Sequence, residues 1–190
     1  MFDDFSFFPD IDLYYDKDIK ESYDLIDELA SNKNLEMVAS VYDCNSAKVA
    51  EGYCSALKIA STNITNFPLI ECICKHCNHL VIDTGNATNS DIENVLKFVK
   101  KISLNMRILL QYSPTRPPMS SSTWNMWRIQ EMQEKFKTPV GLSDHDNTTN
   151  QALLSLGLGV LNIEKGIMSD RALNTSKWYS SAWSKIDKQQ

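Results

Sequence analysis

The sequence predicts an α/β protein: a parallel sheet with helices on its outer side. Three observations carry this. Short β-branched runs alternate with amphipathic helical stretches six times, and each run ends in polar or charged residues. The third is length, since 190 residues suffice for one domain with a proper core and hardly for two. Successive strand–helix units require parallel strands joined by right-handed crossovers. Polar strand ends mark the ligand-binding side of such sheets.

Residues 1–15 mix acids with aromatics and show no period, so 1–17 read as an N-terminal tail. From Asp18 to Ser31, the spacing of Ile19, Tyr23, Ile26 and Leu29 is close to 3.6 and predicts a helix. Glu36–Asp43 is a short strand, followed by a helix from about Ser46, and Ala56–Ser61 is the next strand. Pro68 suits the first turn of the following helix, where its missing N–H would be unpaired anyway. His79–Thr84 is a strand leading to Gly85, and Ser90 with Glu93 reads as a capping box ahead of Val95, Leu96 and Val99. Arg107–Tyr112 is a strand, then a Pro-rich loop and a helix from about Ser122 to Phe136. Pro139–His145 and Gly159–Lys165 are the last strands, with a helix through Leu153 and Leu154 between them. Residues 172–190 form a C-terminal tail whose Trp178, Tyr179 and Trp183 read as a helix packing its own core, the alternative being contact with a partner or with the open barrel. An open doubly wound sheet and part of a (β/α)8 barrel both fit six units. Neither G-x-G-x-x-G after the first strand nor G-x-x-x-x-G-K-[ST] anywhere supports a nucleotide fold.

Composition excludes several classes. Hydrophobic residues are 43% and charged residues 23%, near the globular average, which argues against a disordered or fibrous chain. Lys+Arg 19 against Asp+Glu 24 gives a net charge of −5 without a basic cluster beyond Lys100-Lys101, so nucleic-acid binding is not expected. No apolar run approaches a membrane span, and Met1 leads into Phe2-Asp3-Asp4 rather than a basic signal, so a cytoplasmic protein is expected. The five cysteines are an odd count that argues against a disulfide framework. Cys72, Cys74 and Cys77 with His76 and His79 gather soft metal ligands, but the second ligand pair of a structural zinc site is missing. The stretch reads as reduced cysteines packed at a helix end.

At Lys58-Ile-Ala-Ser-Thr-Asn-Ile-Thr-Asn-Phe-Pro-Leu69 the chain resembles the sialic acid synthase family, which includes the legionaminate and pseudaminate synthases. The likeness continues through Val81-Ile-Asp-Thr-Gly85 and Pro139-Val-Gly-Leu-Ser-Asp-His145 to Ile163-Glu-Lys165, over roughly residues 18–171 in the family's order. It implies a partial TIM (β/α)8 barrel with these units as strands three to eight. It also implies two earlier strands and a C-terminal antifreeze-like domain that this sequence does not show. Strands missing from the barrel would leave two open sheet edges. A second copy or a complementing chain would then be the expected partner.

The reaction implied is condensation of phosphoenolpyruvate (PEP) with an N-acylated mannosamine-type sugar, releasing phosphate. By resemblance Lys58 is catalytic and binds PEP, Ser40 gives it a hydroxyl contact, Ser143 contacts substrate, and His145 is catalytic and matches one of two metal-binding histidines, with manganese or magnesium as the metal. Other positions depart from the family. Its second metal histidine falls at Gln111, a poor ligand for a transition metal. The sugar-contacting glutamate falls at Asn63, a phosphate-binding serine at Asp83, the histidine after Glu164-Lys165 at Gly166, and the loop tyrosine at Arg116. Like charges ~4 Å apart cost about 1–4 kcal/mol, so Asp83 is expected to weaken PEP binding. The alternative is a non-catalytic or fragmentary relative with weakened metal and PEP sites.

Overall fold

The computed structural model describes residues 19–85, 87–114, 124–146 and 148–166. Six strands run parallel in the order β1-β2-β3-β4-β5-β6, each hydrogen-bonded to the next in sequence. They are β1 (Met37–Ser40), β2 (Cys54–Ile59), β3 (His79–Asp83), β4 (Arg107–Tyr112), β5 (Val140–Asp144) and β6 (Ile163–Lys165). The helices are α1 (Ile19–Ser31), α2 (Cys44–Ala50), α3 (Phe67–Ile73), α4 (Asn89–Ile102), α5 (Trp127–Phe136) and α6 (Asn150–Gly157). A 3₁₀ turn, Ser61–Asn63, lies between β2 and α3.

Local chemistry sets the helix starts. Asp43 caps α2 by accepting from the amides of Asn45 and Ser46, so the helix begins at Cys44, two residues before the expected Ser46. Asn66 caps α3, and Pro68 occupies its first turn as expected. The capping box of α4 is formed by Thr88 and Asp91, not by Ser90 and Glu93. Both pairs have the required spacing, and the upstream one wins because Thr88 is the residue still in extended conformation. The last strand is shorter than expected. Gly159 adopts φ +76° and its N–H returns to Leu156, closing α6 in a turn that leaves only Ile163–Lys165 as strand.

Strand alternation sorts side chains between two faces. Leu57, Ile59, Leu80, Ile82, Leu110 and Leu142 point outward and are fully buried beneath Ile70, Ile92, Val95, Val99 and Ile129 of the helices. The inner face is different. Val38, Ala56, Val81 and Leu109 line a hollow of about 370 Å³ at its amino-terminal half, and polar residues occupy its carboxyl-terminal half. Lys58 of β2 nevertheless touches Glu164 of β6 at 2.7 Å. Four strand spacings would put those strands about 19 Å apart on a flat sheet, further than the two side chains reach together. The sheet must therefore curl with this face inward, as part of a barrel.

Among the described residues, β1 and β6 each pair on one side only. Exposed apolar residues occur on β1 and on the first and last helices: Val38 on β1, Leu25, Ile26 and Leu29 on α1, and Leu153 and Leu154 on α6, with Leu161 just before β6. The stripe that predicts α1 is thus only partly covered. No described helix is long and apolar enough to cross a membrane.

The cysteine expectation needs one correction. Cys44 and Cys72 form a disulfide, with Cα atoms 5.8 Å apart. The pairing is invisible in the sequence because 28 residues separate the two cysteines, and only the packing of α2 on α3 brings them together. Cys54, Cys74 and Cys77 remain free thiols. Burial pushes Cys74 up to about 11 and, with Cys74 beside it, Cys77 up to about 12, so both stay protonated packing groups at neutral pH.

Candidate functional site

The strand register builds the site. Ser40 pairs with Lys58, Asp83 with Gln111, and Ser143 with Glu164. Paired residues of a parallel sheet share a face, so all six point into the curl at the carboxyl ends of their strands. The Lys58 ammonium is gripped by both oxygens of Glu164, at 2.8 and 2.7 Å, with Asp83 Oδ2 at 3.4 Å. The Lys58 and Asp83 side chains are each 10% exposed, against 45% for Glu164. One member of the cluster can therefore swing into solvent while the other two stay in place.

Ser143 donates to Glu164 Oε1 at 3.1 Å, and its oxygen lies 3.3 Å from His145 Nε2. With the hydroxyl hydrogen given to Glu164, the Ser143 oxygen can accept from Nε2 of His145 when that nitrogen carries a proton. The result is a relay from His145 through Ser143 and Glu164 to Lys58. Burial pushes His145 below its ordinary value of 6.5, although Glu164, Asp83 and Asp144 pull it upward. Burial raises Asp83 above the usual carboxylate range despite the opposing charge of Lys58. Burial would raise Glu164 too, but the hydrogen bonds and charge of Lys58, aided by Ser143 and Gln111, outweigh it and hold Glu164 low.

A second buried pair supports the loop that carries His145. Asp144 and Lys165 alternate to the other face and bond at 3.0 Å, with side chains 0% and 3% exposed. Asp144 also accepts from the Asp146 amide at 2.8 Å, and the Lys165 ammonium reaches the Asp146 carbonyl. Glu164 and Lys165 were not singled out as site residues from the sequence. Their signal was present in the alternation of β6, which sends one inward and the other outward. Which strand ends they would meet depends on register and curl.

Other expected positions stand apart. Asn63 ends the 3₁₀ turn, half-buried, with its side chain accepting from Asn66. Gly166 lies immediately after β6, and Arg116 falls outside the described residues. Gln111 is 1% exposed and donates to Asn162 at 3.4 Å, while its Oε1 is buried without a hydrogen-bond partner. That orphan acceptor suits a hydroxyl or amide donor from a ligand.

An oxygen of this kind also suits manganese or magnesium, but the rest of the cluster does not. Lys58 sits against both carboxylates, at 2.7 Å from Glu164 and 3.4 Å from Asp83. Among the described residues, the one grouping of three or more His, Cys, Asp or Glu ligand atoms is Cys44, Cys72 and His76. As arranged, the strand ends do not fit the metal that the resemblance implies.

A parallel barrel segment with Lys58 held between two carboxylates at its strand ends defines a (β/α)-barrel protein. Comparison with known proteins makes the assignment: the chain belongs to the NeuB family, which it matches over residues 14–185. It is 28% identical to the N,N'-diacetyllegionaminic acid synthase of Legionella pneumophila, over 81% of this chain and 44% of that protein. It is 26% identical to the pseudaminic acid synthase of Helicobacter pylori, over 78% of this chain and 44% of that protein. The chain thus spans less than half the length of these curated relatives.

Among solved structures, the N-acetylneuraminic acid (sialic acid) synthetase of Leptospira borgpetersenii, in complex with citrate, superposes with a TM-score of 0.81 at 26% identity. The match covers 88% of this chain and 58% of that one. A truncated 3-deoxy-D-arabino-heptulosonate 7-phosphate synthase from Thermotoga maritima shares the fold at 14% identity, with a TM-score of 0.73 over 91% of this chain and 69% of that one.

Proposed function

We propose that this chain forms the phosphoenolpyruvate-binding side of a nonulosonic acid synthase site. Its reaction would join PEP to an N-acylated mannosamine-type sugar in the cytoplasm. The observation that carries this reading is the two-oxygen grip of Glu164 on Lys58. A substrate carboxylate makes the same contact once Glu164 swings out, and Glu164 is the exposed member of the cluster. Ser40, beside Lys58 on the same face, and Ser143 supply hydroxyl donors to the bound anion. The orphan Gln111 Oε1 receives a hydroxyl of the sugar.

In the reaction, C3 of PEP attacks the sugar aldehyde, water adds at C2, and phosphate leaves. Lys58 anchors the anion through these steps, and the proton released by the incoming water balances the one taken up by the former aldehyde oxygen. A second copy or a complementing chain pairing with the β1 and β6 edges would complete the barrel.

One observation favours a second reading, in which the chain is a non-catalytic relative. Asp83 places a buried carboxylate against Lys58, where a bound phosphate or carboxylate meets like charge. Phosphate release from PEP in the presence of N-acetylmannosamine separates the two. Release that is lost in Lys58→Ala supports the synthase. PEP binding without release supports the non-catalytic relative, and absence of PEP binding overturns the synthase reading.

A further inference from the structure

A second constellation lies in the helical layer, between α2 and α3. Cys44 opens α2 and Cys72 lies near the end of α3. His76 follows α3, with one ring nitrogen within 4.8 Å of both sulfurs. All three residues are partly buried. Glu51, just past the end of α2, holds His76 Nδ1 at 2.7 Å. A carboxylate that accepts the Nδ1 proton fixes the ring and leaves the Nε2 lone pair for a metal, the usual outer support of a metal-ligating histidine. A hollow of about 260 Å³ adjoins the cluster, bordered by Glu51 and His76.

We propose that Cys44, Cys72 and His76 form a redox-gated site for one soft divalent cation of the zinc class. The disulfide is its metal-free state and the dithiol its metal-binding state. Two thiolates and an imidazole are a known three-ligand set for zinc, with water in the fourth tetrahedral position. Tetrahedral bonds of about 2.3 Å to sulfur put two thiolates about 3.8 Å apart, so the sulfurs must part on reduction, within reach of side chains whose Cα atoms lie 5.8 Å apart. Both states tie α2 to α3, so the gate changes what the site holds and leaves the helix packing in place.

The steps balance. A phosphine and water convert the disulfide to two thiols and phosphine oxide, and metal binding then releases two protons. In reverse, a disulfide oxidant such as oxidised glutathione takes two electrons from the thiolates. Its own S–S bond breaks as the Cys44–Cys72 bond forms, and the cation departs.

Cobalt(II) titration of the full chain tests this, because tetrahedral thiolate sites give a strong sulfur-to-metal charge-transfer band. The phosphine-reduced chain is expected to bind one Co²⁺ with that band, to lose it to excess Zn²⁺, and to release Co²⁺ on adding oxidised glutathione. Cys44→Ser and Cys72→Ser should abolish the band. His76→Ala, which keeps both thiols, should weaken binding at least tenfold, and Glu51→Gln by about 10- to 100-fold. Cys74→Ser/Cys77→Ser should bind as the parent does. The proposal is overturned if the reduced chain shows no thiolate band, if the band survives Cys44→Ser, or if it depends on Cys74 and Cys77 instead.

Discussion

Replacing Asp83 with Asn removes one negative charge from the anchor without changing its size. Asp83 Oδ2 lies 3.4 Å from Lys58 Nζ. An anionic oxygen seated on that ammonium at about 2.8 Å is therefore no more than about 6 Å from the Asp83 carboxylate. Like unit charges at that separation repel by about 0.7 kcal/mol at a dielectric of 80 and about 2.8 kcal/mol at 20. Asp83→Asn should thus bind PEP about 3- to 100-fold more tightly than the wild type. Isothermal titration with PEP reads this directly. The pH dependence adds a second arm. Burial raises the Asp83 carboxyl, so the repulsion in the wild type fades as pH falls through that raised value. The variant has no such step, and the two affinities should converge towards acid pH. Equal affinities at pH 8, or a difference that grows as pH falls, would refute the reasoning.

Three further outcomes follow from the same geometry. Lys165→Met leaves Asp144 buried without its cation and should destabilise the fold by about 3–5 kcal/mol in urea denaturation, with part recovered in Asp144→Asn/Lys165→Met. His145, held below 6.5 by burial, contributes stability that is present above that unfolded value and lost as pH falls towards the lowered folded one. His145→Gln should flatten this part of the stability–pH curve. Gly85 adopts φ +29°, and a Cβ there would run into the Ser61 side chain. Gly85→Ala should therefore cost about 1–3 kcal/mol by parting the loop after β3 from the turn after β2, read as a lower melting temperature.

The repeating pattern made the scaffold legible. Arg107–Tyr112 appears as expected, Pro68 opens its helix, and the polar strand ends do converge. Where local signals compete, the sequence is ambiguous. Thr88-Asp91 and Ser90-Glu93 are equally good caps by spacing, and only the backbone decides between them. Gly159 reads as the start of a strand until its left-handed turn is seen. At the candidate site, motif resemblance points to Lys58, Ser143 and His145. Glu164 became their partner only through a curl that closes four strand spacings. Long-range pairings such as Lys58–Glu164, Asp144–Lys165 and Cys44–Cys72 depend on register and helix packing, which the residues do not announce one by one. Asp83, read from the sequence as a repulsive charge, is also a partner of Lys58, and both roles follow from one position.

The central claim is that Lys58 is an anion anchor masked by Glu164. Its most direct test is PEP titration, by calorimetry, of the wild type, Glu164→Gln and Lys58→Met, each confirmed folded by circular dichroism. The account predicts tighter binding in Glu164→Gln than in the wild type and none in Lys58→Met. Undiminished binding in Lys58→Met, or no gain in Glu164→Gln, would contradict it.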